Sequence, residues 1–249
     1  MLQVDKITYN YPENKDPVFS NLSLSVAEGE ICAILGKNGS GKTTLIKCIT
    51  GILKPQLGKV NIASRVAYVP QKINLIYDMT VLDAIVMGRY QHFGAFSSPK
   101  KSDYVAARAS AAKLSITDLL DKNFLQLSGG QQQLVLIARA LSVGSTCIVF
   151  DEPCASLDYG NQNQILSVIR GLKETNTTVI FSTHDPNHVI HIADKAMILR
   201  GNGDYLFGTT GDTMTEPILS DLYGMRLKKV LADDRFSAVV AIFDQINKA

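Results

Sequence analysis

Gly36-Lys37-Asn38-Gly39-Ser40-Gly41-Lys42-Thr43 sets glycines, a lysine and a hydroxyl in the G-x-x-x-x-G-K-[ST] spacing. Chemistry of this kind needs a backbone that curls until several N–H groups point inward at a polyphosphate, which glycine permits. A helix starting at the end of the loop adds partial positive charge. Lys42 then reaches the β- and γ-phosphates of a nucleotide, and Thr43 sets its hydroxyl on Mg²⁺. A glycine turn carrying an exposed lysine is the plain alternative, and chance produces the pattern in about one chain in a hundred of this length.

A second group of residues narrows the choice. Cys147-Ile148-Val149-Phe150-Asp151-Glu152 is an apolar run ending in two carboxylates, so both acids emerge at the C-terminal edge of a strand, where a parallel sheet binds ligands. Asp151 there helps to hold hydrated Mg²⁺, and Glu152, beyond the metal, accepts a proton from the attacking water or orients it. Leu127-Ser128-Gly129-Gly130-Gln131 precedes a helical apolar pattern, so Ser128 caps a helix whose glycine-lined start is a second anion cradle. One chain with two such cradles suggests two polyphosphate contacts, and the residues alone do not say to which molecule the second belongs.

The elements that position these residues follow from periodicity. Residues 2–9 and 22–26 alternate apolar and polar side chains around the turn-rich YPENKDP, which reads as an antiparallel pair with one wet face. Residues 31–35, 146–150 and 178–182 are apolar throughout and separated by helical patterns, which implies a parallel sheet covered by helices on both faces. Residues 81–88 and 105–114 read as helices around a loop at 88–103, and residues from about 86 to 143 read as a helical insertion. KAMILR, GNGD and YLFGT read as a hairpin, and an extension from about 212 to 249 is mixed and carries no nameable chemistry. The whole reads as a single domain over 1–249.

Composition excludes several classes. The 249 residues, 46% apolar and 19% charged, suffice for one sizeable core and exclude disorder. Twenty-five Lys and Arg against 23 Asp and Glu leave +2 with no dense basic block, which argues against nucleic acid as a partner. Cys32, Cys48, Cys147 and Cys154 lack C-x-x-C spacing and read as buried, reduced thiols. Neither a signal segment at the start nor a membrane-spanning run is recognisable, so any span must come from another chain.

With these motifs in place, the sequence resembles the ATP-binding cassette ATPases, whose signature LSGGQ stands intact at 127–131. The resemblance covers nearly the whole chain and implies a P-loop NTPase of the α/β class. That fold has a RecA-like parallel sheet core, an N-terminal antiparallel β subdomain and an inserted α-helical subdomain. It makes Gln71 of AYVPQ the Q-loop glutamine, Ser156-Leu157-Asp158 the D-loop and His184 of FSTHD the switch histidine. Tyr11, in preference to Tyr9, matches the aromatic residue that stacks on adenine. ATP would then be bound by Tyr11, Gly36, Asn38, Gly39, Ser40, Gly41, Lys42, Thr43 and Thr44 of one subunit. Ser128, Gly129, Gly130, Gln131 and Asp158 of a second copy would close on it, in a homodimer joined head to tail. Mg²⁺ would be held by Thr43, Gln71 and Asp151, while Glu152, His184 and Gln71 carry the hydrolysis. Two departures from the family pattern, Lys37 after the first glycine and Cys154-Ala155 after DEP, touch neither phosphate nor metal. Cys154 adds a candidate oxidation-sensitive thiol.

A lone cassette without a span is similar to the separate ATPase subunits of importers. TVLDAIVMGRY at 80–90 and ILSDLYGMRLKKV at 218–230 resemble the iron-siderophore, haem and cobalamin branch, nearest to its molybdate and tungstate members. The resemblance implies a permease dimer in the membrane, an external or periplasmic substrate-binding protein met indirectly, and a peripheral position on the cytoplasmic face of the plasma membrane. The rival readings are a non-transport cassette of DNA repair or translation, and a non-hydrolysing module. The first usually shows coiled-coil, tandem or basic insertions, which are not seen here, and the second would be expected to lack Glu152 or His184.

Overall fold

The computed structural model describes residues 1–13, 16–63, 65–71, 78–90, 98–201, 203–231 and 237–243. Strands β1 (Leu2–Tyr9) and β2 (Phe19–Val26) pair antiparallel, with Leu2 opposite Val26 and Tyr9 opposite Phe19, as their alternation requires. β3 (Ile31–Gly36) is buried at every residue and runs through the glycine loop into helix α1 (Lys42–Ile49). β4 (Leu57–Ile62) completes a three-stranded antiparallel sheet in the order β2-β1-β4. It is mostly exposed and breaks alternation, which hid it from a periodicity reading. β5 (Val66–Val69) follows.

Next comes a helical layer. α2 (Val81–Val86) begins at Thr80, whose hydroxyl accepts the Asp83 N–H at 3.1 Å. α3 (Lys101–Lys113) starts four residues before the alanine-rich pattern suggests, because the Asp103 carboxylate accepts the Lys100 N–H at 2.8 Å and caps a first turn of polar residues. The loop expected over 88–103 lies partly outside the described residues. α4 (Gly129–Ser142) packs on both α2 and α3. Arg89 ties the three together: its Nε donates to Asp103 at 2.7 Å and its Nη1 to the Ser142 carbonyl, near the end of α4, at 2.6 Å.

The chain then returns to the sheet with β6 (Cys147–Phe150), α5 (Tyr159–Leu172), β7 (Thr178–Thr183) and α6 (Pro186–Ile192). β8 (Lys195–Gly201) and β9 (Asp204–Thr209) form the expected hairpin. The central sheet has the order β5-β6-β7-β3-β8-β9, parallel except for that last pair. Its strands serve two cores. Ile31, Ala33 and Leu35 face the helical side, and Cys32 and Ile34 face α1 and the antiparallel sheet. Both faces are therefore dry, which is why these strands read as unbroken apolar runs.

The extension without nameable chemistry is structured among its described residues. α7 (Thr210–Thr213) and α8 (Glu216–Tyr223) lead to an antiparallel hairpin of β10 (Leu227–Leu231) and β11 (Ser237–Ala241). Leu219, Leu222, Leu227 and Val239 join the larger core. All four cysteines are free and buried. Burial pushes the Cys154 thiol up to about 12, which disfavours the reactive thiolate form.

Candidate active site

The loop after β3, the start of α1 and the turn after β6 meet at a cleft of about 520 Å³. The loop after β3 must pass close to the β2 side of the molecule. Gly41 takes φ +99°, and a Cβ there would lie 2.6 Å from Val18 Cγ1, so only glycine fits the crossing. Its neighbour Lys42 is 5% exposed and folds back over the loop: Nζ donates to the carbonyls of Gly36 at 2.9 Å and Lys37 at 3.1 Å. A third partner, Glu152 Oε1, lies 3.1 Å from the same nitrogen and pairs with its charge.

Glu152 is where the site converges. It stands two residues past the end of β6 and holds φ +46°, a conformation that non-glycine residues rarely adopt. Its own N–H is fixed by Ser182 Oγ at 2.8 Å, and the turn aims the carboxylate into the cleft. Gln71 Nε2 donates to Glu152 Oε2 at 3.2 Å, and His184 Nδ1 lies 3.6 Å from the same oxygen. Residues from three separate stretches, 42, 71 and 184, thus surround the carboxylate of a fourth, 152. Strain in a buried turn of this kind persists only where the surroundings over-determine it, here through Lys42, Gln71 and Ser182.

Asp151 sits one residue behind, 3% exposed. Its Oδ1 accepts the hydroxyls of Thr43 at 3.2 Å and Ser182 at 2.7 Å. Tyr68 lies near this carboxylate; burial, reinforced by that negative charge, pushes the phenol up to about 12. Ser182 was not singled out in the sequence, although a serine inside the fully buried run TVIFST is itself a signal that a partner awaits it.

Tyr11 lines the cleft and its hydroxyl shares a 3.1 Å hydrogen bond with Thr44 Oγ1, whereas Tyr9 is buried in the core and meets the Tyr11 ring edge-on at 5.1 Å. Asn38, Gly39, Gly41, Thr43 and Thr44 also line the cleft, with Val18 as an apolar wall that sequence reasoning missed. Gly36 and Ser40 are not in that lining, and Ser40 is buried.

Ser128, Gly129, Gly130, Gln131 and Asp158 are not part of this lining. Ser128 caps α4 reciprocally: its Oγ accepts the Gln131 N–H at 3.3 Å, and Gln131 Oε1 accepts the Ser128 N–H at 3.1 Å. Asp158 caps α5, accepting the Asn161 N–H at 2.8 Å and its side-chain amide at 2.7 Å, which hold its carboxyl below the ordinary range. The two helix starts touch, since a Cβ on Gly130 would fall 2.4 Å from Asn161 Oδ1.

Another group links this corner to the His184 turn. Gln162 Nε2 donates to the Leu157 carbonyl at 2.9 Å, so its Oε1 faces the buried His188 Nε2 at 3.4 Å as acceptor. His188 is then the Nε2–H tautomer, and Nδ1 accepts from Thr183 Oγ1 at 3.1 Å. Burial is the largest influence on His188 and lowers its pKa, and His184 and His191 add to this against the opposing Asp185 carboxylate.

The set of oxygens around Thr43 suits a small hard cation that keeps water and phosphate ligands, and among the described residues no three His, Cys, Asp or Glu gather as an all-protein metal cage.

Residues 19–155, more than half of the chain, match the ABC transporter family. The chain is 37% identical over 223 residues to the molybdate import ATP-binding protein MolC of Haemophilus influenzae, covering 89% of this chain and 87% of that one. It is 35% identical over 246 residues to the manganese transport system ATP-binding protein MntB of Bacillus subtilis, covering 93% and 97%. A solved inward-facing structure described as a metal-chelate type ABC transporter matches with a TM-score of 0.93 at 35% identity, over 97% of each chain. Sharing that backbone, and carrying the phosphate loop, the acidic strand end and the capped glycine helix on it, the chain belongs to the ABC transporter family.

Proposed function

We propose that this chain is the ATP-hydrolysing subunit of an importer and drives uptake of a metal-containing substrate through a separate membrane permease. The observation that carries the reading is the convergence of Lys42, Gln71 and His184 on the Glu152 carboxylate. Lys42 is the cation that meets the transferred phosphate, and the loop carbonyls that hold its ammonium fix it in advance. Glu152 takes the proton of the attacking water, with Gln71 orienting the carboxylate and His184 contacting the γ-phosphate. Tyr11 offers its ring to adenine. Thr43 and Asp151, with Gln71, hold Mg²⁺, which when bound neutralises charge on the phosphates.

The remaining anion cradle supports a dimer. Ser128, Gly129, Gly130 and Gln131, with Asp158, are absent from the lining of their own chain's cleft, so a second copy brings them to the nucleotide. ATP then bridges two subunits, and its hydrolysis removes the bridge. Among the described residues no helix is long and apolar enough to cross a membrane. The working assembly is thus this homodimer beneath a permease dimer on the cytoplasmic face, gripped by an inserted helical subdomain formed by α2, α3 and α4 and supplied by a binding protein outside. Molybdate or tungstate is the favoured cargo, in keeping with the name of the Haemophilus influenzae relative, ahead of iron-siderophore, haem and cobalamin.

Reconstitution with the cognate permease tests the reading. ATPase activity is expected to rise with binding protein loaded with molybdate or tungstate, and no response to any of molybdate, tungstate, ferric chelates, haem or cobalamin would count against an importer of this class.

A further inference from the structure

His184 stands in a two-residue link between β7 and α6, and its side chain is 58% exposed, so packing does not hold the imidazole in place. What holds it is its backbone. The Tyr223 hydroxyl, at the last residue of α8, donates to the His184 carbonyl at 2.6 Å. Burial raises the Tyr223 pKa further above its ordinary value, so the phenol remains a donor throughout the working range.

Tyr223 is itself braced. Ser220 Oγ, on α8, accepts the Leu227 N–H at 3.0 Å, and Glu216 Oε1 accepts the Lys229 N–H at 2.8 Å, which fasten α8 to β10. β11 then fastens to α6: Asn187 Oδ1 accepts the Val239 N–H at 2.7 Å and Asn187 Nδ2 donates to the Val239 carbonyl at 3.2 Å. Since α6 follows His184 by two residues, the contacts close a ring from His184 through α6, β11, β10 and α8 back to His184.

We propose that the C-terminal unit of α8, β10 and β11 positions the switch histidine, with Tyr223 as the positioning residue that fixes the His184 peptide. The proposal rests on the ATPase reading above, and it gives the extension a role in hydrolysis that its sequence does not suggest. A peptide pinned at its carbonyl has less freedom to turn, and with it the Cα–Cβ bond that carries the imidazole. Because the contact does not touch the nucleotide, it affects the chemical step and not ATP affinity.

Steady-state ATPase of the full chain with its permease tests this. Tyr223→Phe removes one hydroxyl and is expected to lower kcat about three- to tenfold with KM for ATP within about twofold of wild type. Asn187→Ala, which opens the ring at the opposite side, is expected to show the same split. Wild-type kcat in both variants, or KM rising in step with any loss of kcat, would overturn the positioning role alone. A wild-type chain that does not hydrolyse ATP would overturn the ATPase reading and this role with it.

Discussion

Glu152 has three neighbours competing for its two oxygens, and that crowding makes its substitution informative. Glu152→Gln keeps the shape of the side chain and removes the proposed base, so ATP binding is expected to persist while turnover falls about 100-fold or more, measured as phosphate release. Near wild-type release would remove Glu152 from the mechanism. Lys42→Ala acts differently, because it deletes the proposed phosphate contact and leaves Glu152 without its cation; nucleotide affinity is expected to fall about ten- to hundredfold in a binding titration. At this scale the sequence was most legible where chemistry demands a fixed spacing, as in residues 36–43, or adjacency, as in Asp151-Glu152. Ser182, Val18 and Tyr223 were not, since each acts through a contact far away in sequence: Ser182 on Asp151, Val18 on Gly41, Tyr223 on His184.

Elements carry these residues to their places, and two contacts between elements are testable. The starts of α4 and α5 meet at Gly130 and Asn161, so Gly130→Ala drives a methyl into Asn161 Oδ1 and pulls that amide from Asp158. A loss of about 1–3 kcal/mol is expected in denaturant unfolding. An unchanged midpoint would show that the two helix starts are not rigidly packed. His188 joins the His184 turn to α5 in its neutral form. Its lowered pKa means that the unfolded chain binds a proton near pH 6.5 that the native chain refuses, so stability is full above that pH and falls as pH drops below it. The melting temperature is expected to fall between about pH 7.5 and about 5.5, and His188→Gln to flatten that fall. Equal pH sensitivity in both proteins would assign the effect elsewhere. The buried strands were legible because each is dry on both faces, as Ile31–Gly36 shows. β4 and the β10–β11 hairpin were not, because their largely exposed residues lack an apolar period; pairing partners made those strands.

At the scale of the whole molecule, the proposed dimer makes the two anion cradles of one chain halves of a shared site. One is a loop curled around Lys42, and the other is the tip of α4, which takes no part in the cleft of its own chain. Both glycine-rich segments were legible in the sequence; that residues 128–131 do not line the cleft of residues 38–44 needed the fold. Near-neutral charge predicts that duplex DNA leaves the ATPase rate unchanged, and a strong, salt-sensitive stimulation would revive the repair-type reading. The most direct test of the shared site is a cross-link. Asn38→Cys and Ser128→Cys in the Glu152→Gln background, both at exposed positions, are expected to form a disulfide between two chains when ATP and Mg²⁺ are added and not with ADP. Failure to cross-link with ATP, or cross-linking that ignores the nucleotide, would contradict a nucleotide held between two copies.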